Sequence, residues 1–356
     1  MRLLALALTL CGAAALATPQ TAHTDQALRQ AYERPPAEWP AATTDPGVAF
    51  VELGALAAAP APATAHEAQL ARLGRQLFFD PRLSADGRVS CASCHRPDQG
   101  WTVHGPTATG VAGQAGRRNP PGLQDVASRP HWAWDGASGS LASQSLRPLT
   151  DPREMGNPSL AAVWTRISQA PEYATLARGA NASPARLGEA LAAFQRTLHT
   201  RSRFDRFVQG DHRALSDQAV RGLHLFRTQA RCANCHFGPT FSDGRFHNLG
   251  IAFFGEPSQD LGRYAVSGQC EDVGRFRTPS LRQVARTAPY MHHGLFDSLA
   301  GVLQLYQRGG GDPRNSRAGV REHPLYRCAT QVSPHLQPLH LKAEDIAALL
   351  VFLQAL

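Results

Sequence analysis

Two Cys-x-x-Cys-His motifs constrain this chain more than any other feature of its sequence. They read Cys-Ala-Ser-Cys-His over 91–95 and Cys-Ala-Asn-Cys-His over 232–236. In such a motif the two thiols form thioethers with a haem, and the adjacent histidine supplies an axial iron ligand. A zinc site or a redox dithiol would not need the whole pentapeptide twice. The sequence therefore predicts two covalently bound haem c groups. The residues predicted to hold them are Cys91, Cys94, His95, Cys232, Cys235 and His236.

The N-terminus has the pattern of an export signal. Arg2 is followed by an apolar run over 3–16 and by the small-residue sequence Ala15-Leu16-Ala17. We expect a signal peptide over 1–17 that is cleaved near Ala17, and hence a periplasmic protein. The apolar run is short for a bilayer, and no later segment is long and apolar enough, so we expect no membrane span. Covalent haem attachment takes place outside the bacterial cytoplasm, which agrees with export.

The net charge of +8 narrows the choice of partners only slightly. A basic surface suits an acidic redox protein, but an arginine-rich, solvated surface would give the same charge. The sequence contains no motif typical of nucleic-acid binding, so we expect no nucleic-acid partner. With 43% hydrophobic residues the chain is expected to be globular, and 356 residues allow two domains.

Three cysteines lie outside the two motifs. Cys11 belongs to the predicted signal peptide. Cys270 and Cys328 form either a disulfide in an oxidising compartment or two separate thiols, because the sequence does not give the distance between them.

The two halves of the chain repeat each other. The segment 74–78 before the first motif resembles 222–226 before the second. After the motifs, Leu123 matches Leu281 and Ser140 matches Ser298, each 158 positions later. The sequence therefore predicts two cytochrome c-like haem domains that are related by internal duplication. The predicted domains are 65–205 and 206–356, with a longer loop over 242–274 in the second and a flexible, Ala-, Pro- and Thr-rich lead-in over 18–64.

Local patterns favour a mainly α fold. Apolar residues recur at helical spacing over 66–79, just before the first motif. Ser183-Pro184 is typical of a helix start, and this helix is predicted to extend to about Thr200. Ser216 is predicted to open another helix that leads into the second motif, and 342–356 is predicted to close the chain as an apolar helix. Such helices can supply the apolar walls that a porphyrin needs.

Further segments give the chain a family resemblance. Together with the two motifs, they resemble the bacterial di-haem cytochrome c peroxidase family, including its MauG-type branch. The resemblance covers about residues 66–356, and its segments occur in the order of the family. The matching segments are 77–84, 90–95, 134–136, 152–156, 277–281, 287–290 and 305–309.

The resemblance implies roles for three residues of the reaction site. Trp134 is similar to the tryptophan that lies between the two haems and relays oxidising equivalents. Gln144 and Glu154 are similar to the distal pair of the peroxidatic haem, with Glu154 as the acid–base group. Taken alone, Trp134 would suit core packing and Glu154 would suit a solvated loop.

The second haem is expected to have an unusual ligand. Tyr306 lies 158 positions after Pro148, so only the second half has an oxygen donor at this place. Ordinary members of the family have methionine there, whereas the MauG-type branch has tyrosine. The resemblance therefore implies that His236 and Tyr306 ligate the second iron, and that its potential is low because phenolate stabilises ferric iron. The alternative is a tyrosine that only packs in the core.

The resemblance also implies a calcium ion between the domains. Its protein ligands would be Asn119, Thr287 and Pro289, and Pro289 could contribute only its carbonyl oxygen. The alternative for 287–289 is an ordinary turn. No residue clearly matches the histidine that caps the first haem of many peroxidases, since His104 lies close to His95 and suits a loop.

Three functional hypotheses follow from these residues and from the resemblance, which implies a peroxidase-type oxidoreductase. The first is a MauG-like enzyme that uses hydrogen peroxide at the first haem to oxidise a substrate, such as a protein side chain, through both haems. The second is a cytochrome c peroxidase that reduces hydrogen peroxide to water with electrons from a small cytochrome c or copper protein. The third is a non-enzymatic di-haem electron carrier, which would have no use for an open iron.

Overall fold

The described chain is largely helical and has only two short strands, which confirms the mainly α prediction. The computed structural model describes residues 19–57, 61–178, 182–317 and 319–356, with side chains from residue 25 onward. The predicted signal peptide lies outside these residues. The helices are α1 Pro19–Tyr32, α2 Ala65–Phe79, α3 Cys91–Cys94, α4 Leu141–Thr150, α5 Leu160–Ser168, α6 Ala185–Gln195, α7 Arg203–Val208, α8 Asp217–Arg227, α9 Tyr264–Ser267, α10 Leu299–Gln307, α11 Tyr326–Ala329 and α12 Ala343–Leu353. The antiparallel strands are β1 Phe246–Asn248 and β2 Arg275–Arg277.

Capping residues set where the main helices begin. Thr64 accepts a hydrogen bond from the Glu67 amide at the start of α2, and Ser216 accepts one from the Ala219 amide at the start of α8. These side chains satisfy amides that have no partner within the helix. The predicted starts of α2, α6, α8 and α12 agree with the structure. α6 ends at Gln195, earlier than the predicted Thr200.

Each half of the chain has its own hydrophobic core, built on a pair of crossing helices. α2 packs against α6 in the first half, and α8 packs against α12 in the second. Buried residues of the first core include Leu77, Phe78, Leu187, Leu191 and Phe194; those of the second include Leu223, Phe226, Leu349, Phe352 and Phe241.

A glycine allows the close helix crossing in both halves. A Cβ added to Gly74 in α2 would overlap the carbonyl oxygen of Ala190 in α6. A Cβ added to Gly222 in α8 would overlap the carbonyl oxygen of Ala348 in α12. Ala348 lies 158 positions after Ala190 and Gly222 lies 148 positions after Gly74, so corresponding residues of the two halves form the two helix contacts.

The backbone after the motifs follows the same offset. Asp125 and Gln283 have φ angles of 53° and 57° and precede corresponding 3₁₀ turns. Ala133 and Met291 have φ angles of 62° and 72°. Left-handed backbone is uncommon for residues other than glycine. Its recurrence at matched positions therefore indicates that the two halves share the same local backbone conformation after each motif.

The lead-in over 18–64 differs from the prediction. α1 lies within it, and Tyr32, Trp39 and Leu53 are buried in the core of the second half. The Arg227 side chain of α8 is only 1% exposed and donates hydrogen bonds to the Tyr32 hydroxyl and the Glu52 carboxylate. Composition suggested flexibility, but buried aromatic side chains and several ion pairs, including Arg227 with the partly exposed Glu52, hold this segment on the second half.

The boundary between the two halves also differs by a few residues. Phe204, placed in the first domain by the prediction, is fully buried in the second core. The Asp205 carboxylate accepts a hydrogen bond of 2.6 Å from the Arg282 guanidinium, and both side chains are buried. Phe204 and Asp205, next to the predicted domain boundary, therefore pack with the second half of the chain.

The longer loop of the second half is folded rather than open. It contains β1 and α9, and a disulfide joins Cys270 to Cys328 with a Cα–Cα distance of 5.7 Å. Phe254 and Val273 of the loop pack with Ala329 in a small core of their own. The pairing of the two cysteines, left open by the sequence, is therefore a disulfide that fixes the loop to α11.

Among the residues described, no helix is both long enough and apolar enough to cross a membrane.

Replacing Gly222 with alanine should lower the free energy of unfolding of the haem-loaded protein. Overpacking a core typically costs about 1–3 kcal/mol, and the clashing atom here is a backbone oxygen that cannot rotate away. We therefore expect a loss despite the better helix propensity of alanine. Gly139→Ala is the matched control, because Gly139 has open space around its Cα. Thermal unfolding followed by circular dichroism measures both. Equal stability of the two variants would contradict the proposed crossing constraint.

Candidate active site

The first motif places His95 at the end of a single helical turn. α3 covers Cys91–Cys94, and the His95 amide donates to the Cys91 carbonyl. The His95 Nδ1 atom lies 3.0 Å from the Trp101 carbonyl oxygen. Trp101 has a φ of 61°, and this left-handed conformation belongs to the turn that brings its carbonyl to the histidine ring. Burial lowers the pKa of His95 to about 4, so the ring is neutral at neutral pH.

The second motif repeats this arrangement. The His236 amide donates to the Cys232 carbonyl, and the His236 Nδ1 atom lies 2.9 Å from the Phe241 carbonyl oxygen. Phe241 has a φ of 53°. Burial lowers the pKa of His236 as well.

The two histidines and four cysteines fit covalently bound haem. A histidine that ligates a metal usually donates its other ring N–H to a carbonyl oxygen, which fixes the tautomer and the ring orientation. In both motifs Nδ1 has such a partner, so the proton is on Nδ1 and the Nε2 lone pair is available. All four motif cysteines are unpaired and partly buried. This donor set has the chemistry that two c-type haems require.

Most of the other predicted site residues line one large cavity. It contains the second motif, Tyr306, Trp134 and the three residues of the predicted calcium site. Apolar side chains cover much of its wall, which suits a porphyrin. Gln144, Glu154 and the cysteines of the first motif do not line it. The apolar residues of the wall include Phe226, Leu281, Val284, Leu303, Ile251 and Leu336.

Tyr306 lies beside the thiols of the second motif. It is near the C-terminal end of α10, and burial raises the pKa of its phenol, with further contributions from Cys235 and Cys232. Within the described part of the chain, its hydroxyl forms no hydrogen bond. Pro148, its counterpart in the first half, lies inside α4 and has no donor atom.

Glu154 lies beside the thiols of the first motif. Burial raises the pKa of the Cys94 thiol to about 11, and the Glu154 carboxylate adds to this shift. Burial also raises the pKa of Glu154 itself, with Asp151 adding to the effect and Arg147 opposing it. The glutamate therefore holds its proton to a higher pH than a glutamate in water does.

Gln144 is oriented by a serine. It lies on α4, and its Oε1 atom accepts a hydrogen bond of 2.8 Å from the Ser138 hydroxyl. Because the oxygen is occupied, the amide Nε2 group is the part of this side chain that is available to donate.

Trp134 lies between the halves. Its indole Nε1 donates to the Asn119 carbonyl at 2.8 Å. Its ring meets the His292 ring edge-on, with centroids 6.5 Å apart. His292 lies 158 positions after Trp134, so the two counterparts of the repeat contact each other here.

The predicted calcium ligands share this region. Asn119, Thr287 and Pro289 all line the large cavity. The Asn119 amide nitrogen donates to the carbonyls of Gly105 and Pro106, which directs its Oδ1 atom away from them. Among the described residues, that Oδ1 and the carbonyl oxygens of Thr287 and Pro289 accept no hydrogen bond. Three free hard oxygens are a donor set that calcium accepts.

Sequence reasoning missed a polar cluster at the same junction. The Arg118 guanidinium forms ion pairs of 2.6 Å with both Asp135 and Asp260, and so links the two halves. Phe276 stacks on His292 with ring centroids 3.6 Å apart. The His292 Nε2 atom is buried without a partner in the described structure. The match of His292 to Trp134 was the only sequence signal that could have found this cluster.

Comparisons with known proteins agree with this architecture. A sequence profile described as "Di-haem cytochrome c peroxidase" matches residues 68–213. The chain is 37% identical over 314 residues to the methylamine utilization protein MauG of Methylorubrum extorquens, covering 86% of this chain and 82% of that protein. It is 36% identical over 281 residues to the cytochrome-c peroxidase IdrP2 of a Pseudomonas strain, covering 70% of this chain and 76% of that protein.

The chain belongs to the di-haem cytochrome c peroxidase family. Solved structures resemble it along most of its length. A MauG-like protein associated with microbial copper homeostasis superposes with a TM-score of 0.70 at 29% identity, covering 88% of this chain and 95% of that one. The di-haem peroxidase BthA of Burkholderia thailandensis superposes with a TM-score of 0.70 at 28% identity, covering 89% and 95%.

Membership makes this chain an oxidoreductase of the di-haem peroxidase family and implies haem c as its cofactor. The relatives with similar identity are named both MauG and cytochrome-c peroxidase. Their names therefore do not decide between the two enzymatic hypotheses.

Proposed function

We propose that this protein is a periplasmic, MauG-like oxidoreductase that uses hydrogen peroxide, with different tasks in its two halves. The observation that carries the proposal is the contrast between the two motifs. The charge of the Glu154 carboxylate raises the pKa of the Cys94 thiol in the first motif, whereas the Tyr306 phenol lines the same cavity as Cys232 and Cys235 of the second. The first half is suited to proton transfer, and the second is suited to holding iron from both sides.

The haem c groups are held by the two motifs. Cys91, Cys94 and His95 hold the first, and Cys232, Cys235 and His236 hold the second. When bound, the two haems supply an iron that peroxide can coordinate and two centres that accept and pass electrons. The carbonyl oxygens of Trp101 and Phe241 keep the histidine rings in the orientation that axial ligation requires.

Glu154 and Gln144 handle the peroxide protons. The Glu154 carboxylate accepts a proton from one oxygen of hydrogen peroxide and returns it to the other, which leaves as water. The Gln144 amide Nε2 donates a hydrogen bond to the peroxide, since Ser138 occupies its Oε1 atom. The raised pKa of Glu154 brings the acid and base forms closer in energy near the working pH.

Tyr306 and His236, which line the same cavity, would both hold the iron of the second haem, with Tyr306 supplying a phenolate oxygen. Its hydroxyl has no competing protein partner among the described residues, and it lies beside the thiols that attach this haem. Pro148 cannot do the same in the first half. This difference leaves one face of the first haem open for peroxide.

Trp134 links the two halves by electron transfer. Its indole is fixed by the Asn119 carbonyl and touches His292, the counterpart on the other side of the repeat. Asn119, Thr287 and Pro289 bind a calcium ion in the same place through the Asn119 Oδ1 atom and two carbonyl oxygens. An ion there would hold Asn119 and therefore also the position of Trp134.

The oxidised substrate is a periplasmic redox partner, such as a side chain of another protein. Relatives named cytochrome-c peroxidase favour the second reading, in which a small cytochrome c or copper protein returns the electrons and peroxide is reduced to water. The two readings differ in the second haem: phenolate ligation and a low potential favour the MauG-like role.

The two halves derive from one ancestral haem domain by duplication. Three features support this proposal: the sequence matches at an offset of 158, the left-handed residues at matched positions, and the Gly–Ala contacts of the crossing helices. The differing residues, Tyr306 for Pro148 and His292 for Trp134, then mark where the halves became specialised.

Replacing Glu154 with glutamine should slow peroxide cleavage by about 10²–10⁴-fold while both haems keep their absorption spectra. In the wild type, the carboxylate must be ionised to accept a proton. Because its pKa is raised, the rate should fall on acidification at a pH above the pKa of an ordinary glutamate. This acid limb should be absent from Glu154→Gln. Stopped-flow rates across pH measure it, with the exposed Glu189→Gln as control, and an unchanged rate would remove Glu154 from the mechanism.

Replacing Tyr306 with phenylalanine should change the spectrum of one haem only. Loss of the phenolate should raise the reduction potential of that haem, because ferric iron loses a stabilising ligand. Tyr290→Phe is the matched control, since Tyr290 lines the same cavity. Electron paramagnetic resonance and a redox titration measure the effect. If Tyr306→Phe behaves like the control, Tyr306 is a packing residue and the cytochrome-fed peroxidase is favoured.

A further inference from the structure

An aromatic cluster surrounds the axial histidine of the first half. The Phe78 ring lies 6.5 Å from the His95 ring and 5.8 Å from the Trp101 ring, centroid to centroid. Phe194 completes the cluster, with ring centroids 5.2 Å from Phe78 and 6.0 Å from Trp101. Trp101 is thus joined to His95 directly by its carbonyl hydrogen bond and, through the Phe78 ring, by aromatic packing.

The second half contains the same cluster with one change. Phe226 lies 6.0 Å from Phe241 and 5.4 Å from Phe352, centroid to centroid. Phe241 accepts the hydrogen bond from His236, as Trp101 does from His95. The position occupied by an indole in the first half is therefore occupied by a phenyl ring in the second.

The packing of the cluster does not require tryptophan. Phe241 is fully buried and fills its place with a phenyl ring. Trp101 is larger and partly exposed. Indole is much easier to oxidise than phenyl, so the substitution adds redox chemistry in the half where the proposed function places peroxide.

Trp101 opens onto a small depression at the protein surface. Phe79, Arg72 and Arg75 also line it, and no carboxylate does. Phe79 is 40% exposed, and the Arg75 guanidinium lies 5.6 Å from its ring centroid. The depression thus offers an aromatic floor and two positive charges, which suits a flat anionic molecule.

Trp101 also differs from Trp134 in the state of its indole nitrogen. The Trp134 N–H donates a hydrogen bond to the Asn119 carbonyl oxygen. This oxygen accepts the hydrogen bond but is too weak a base to take up the proton. Among the described residues, the Trp101 N–H has no hydrogen-bond partner. An oxidised Trp101 can therefore release its proton to water, whereas Trp134 keeps its own.

We propose that Trp101 is a second exit for oxidising equivalents, through which the first half oxidises small anionic aromatic reductants at its surface depression. The proposal rests on the peroxide chemistry of the proposed function. It adds a small-molecule peroxidase activity to it, at a surface depression that shares no lining residue with the cavity between the halves.

Each cycle of the proposed reaction moves one electron and one proton through Trp101. After peroxide has oxidised the site, Trp101 gives it one electron and its indole nitrogen releases one proton to water, leaving a neutral indolyl radical. The bound aromatic reductant gives one electron to the radical, and water returns the proton. Two such cycles supply two electrons, which with two protons from water reduce one hydrogen peroxide to two molecules of water.

Trp101→Phe tests the proposal in the haem-loaded protein, because phenylalanine is the residue that the second half uses. ABTS, an anionic aromatic reductant, serves as the probe. We expect kcat for ABTS oxidation to fall by about tenfold or more, with an unchanged KM for peroxide. Trp164→Phe is the matched control, since Trp164 is partly buried against the same core; its kcat should stay within about twofold of the wild type.

One further measurement separates this proposal from the proposed function: the change in haem absorption on adding peroxide without reductant. If the wild type shows no change, the proposed function fails. If the wild type and Trp101→Phe change equally and only ABTS oxidation is lost, the exit at Trp101 is supported. An equal ABTS turnover in both proteins overturns it.

A rescue variant and the identification of oxidised residues by mass spectrometry complete the test. Trp101→Tyr should recover part of the ABTS activity, because a phenol can also lose an electron and a proton. Peptide mass spectrometry after peroxide treatment without reductant should find added oxygen on Trp101 and little on Trp164. If Trp101→Tyr is as inactive as Trp101→Phe and Trp101 stays unmodified in the wild type, the site is structural.

Discussion

The hydrogen bond from each motif histidine to a backbone carbonyl is the interaction on which the rest of this structure depends. The Nδ1 atoms of His95 and His236 lie 3.0 and 2.9 Å from the carbonyls of Trp101 and Phe241. These bonds fix the tautomer and leave Nε2 to the iron. The chain adopts left-handed backbone at both acceptor residues, and the crossing helices pack their aromatic side chains around them.

The two halves share a scaffold and differ at a few positions, and the proposed division of tasks rests on these differences. Tyr306 has Pro148 as its counterpart, His292 has Trp134, and the acceptor of the histidine hydrogen bond is Phe241 in one half and Trp101 in the other. None of these changes disturbs the helix crossing or the histidine turn. In the proposed function these differences act on ligation and electron transfer, while the packing arrangement is alike in the two halves.

The sequence predicted the features that depend on neighbouring residues, and it missed those that depend on contacts between residues far apart in the chain. The motifs, the caps at Thr64 and Ser216 and the repeat are local signals, and the helices follow them. Tyr32 and Arg227 meet across 195 positions, so composition alone suggested a flexible lead-in where the structure has a packed one. The Cys270–Cys328 disulfide and the ion pair of Arg118 with Asp260 likewise depend on distances that only the fold sets. His292 could be found from the sequence only as the counterpart of Trp134, 158 positions earlier, because a buried histidine has no sequence signature.

The most direct test of the account is to mix the fully oxidised protein with one equivalent of hydrogen peroxide, without reductant, and to follow haem absorption by stopped flow. The account predicts rapid loss of the ferric Soret band with both haems changing together, because it proposes that the first iron is accessible to peroxide and that Trp134 couples the two haems. No reaction until one haem has been reduced would contradict it. That result would mean that the first iron is capped at rest and that the protein works as a cytochrome-fed peroxidase.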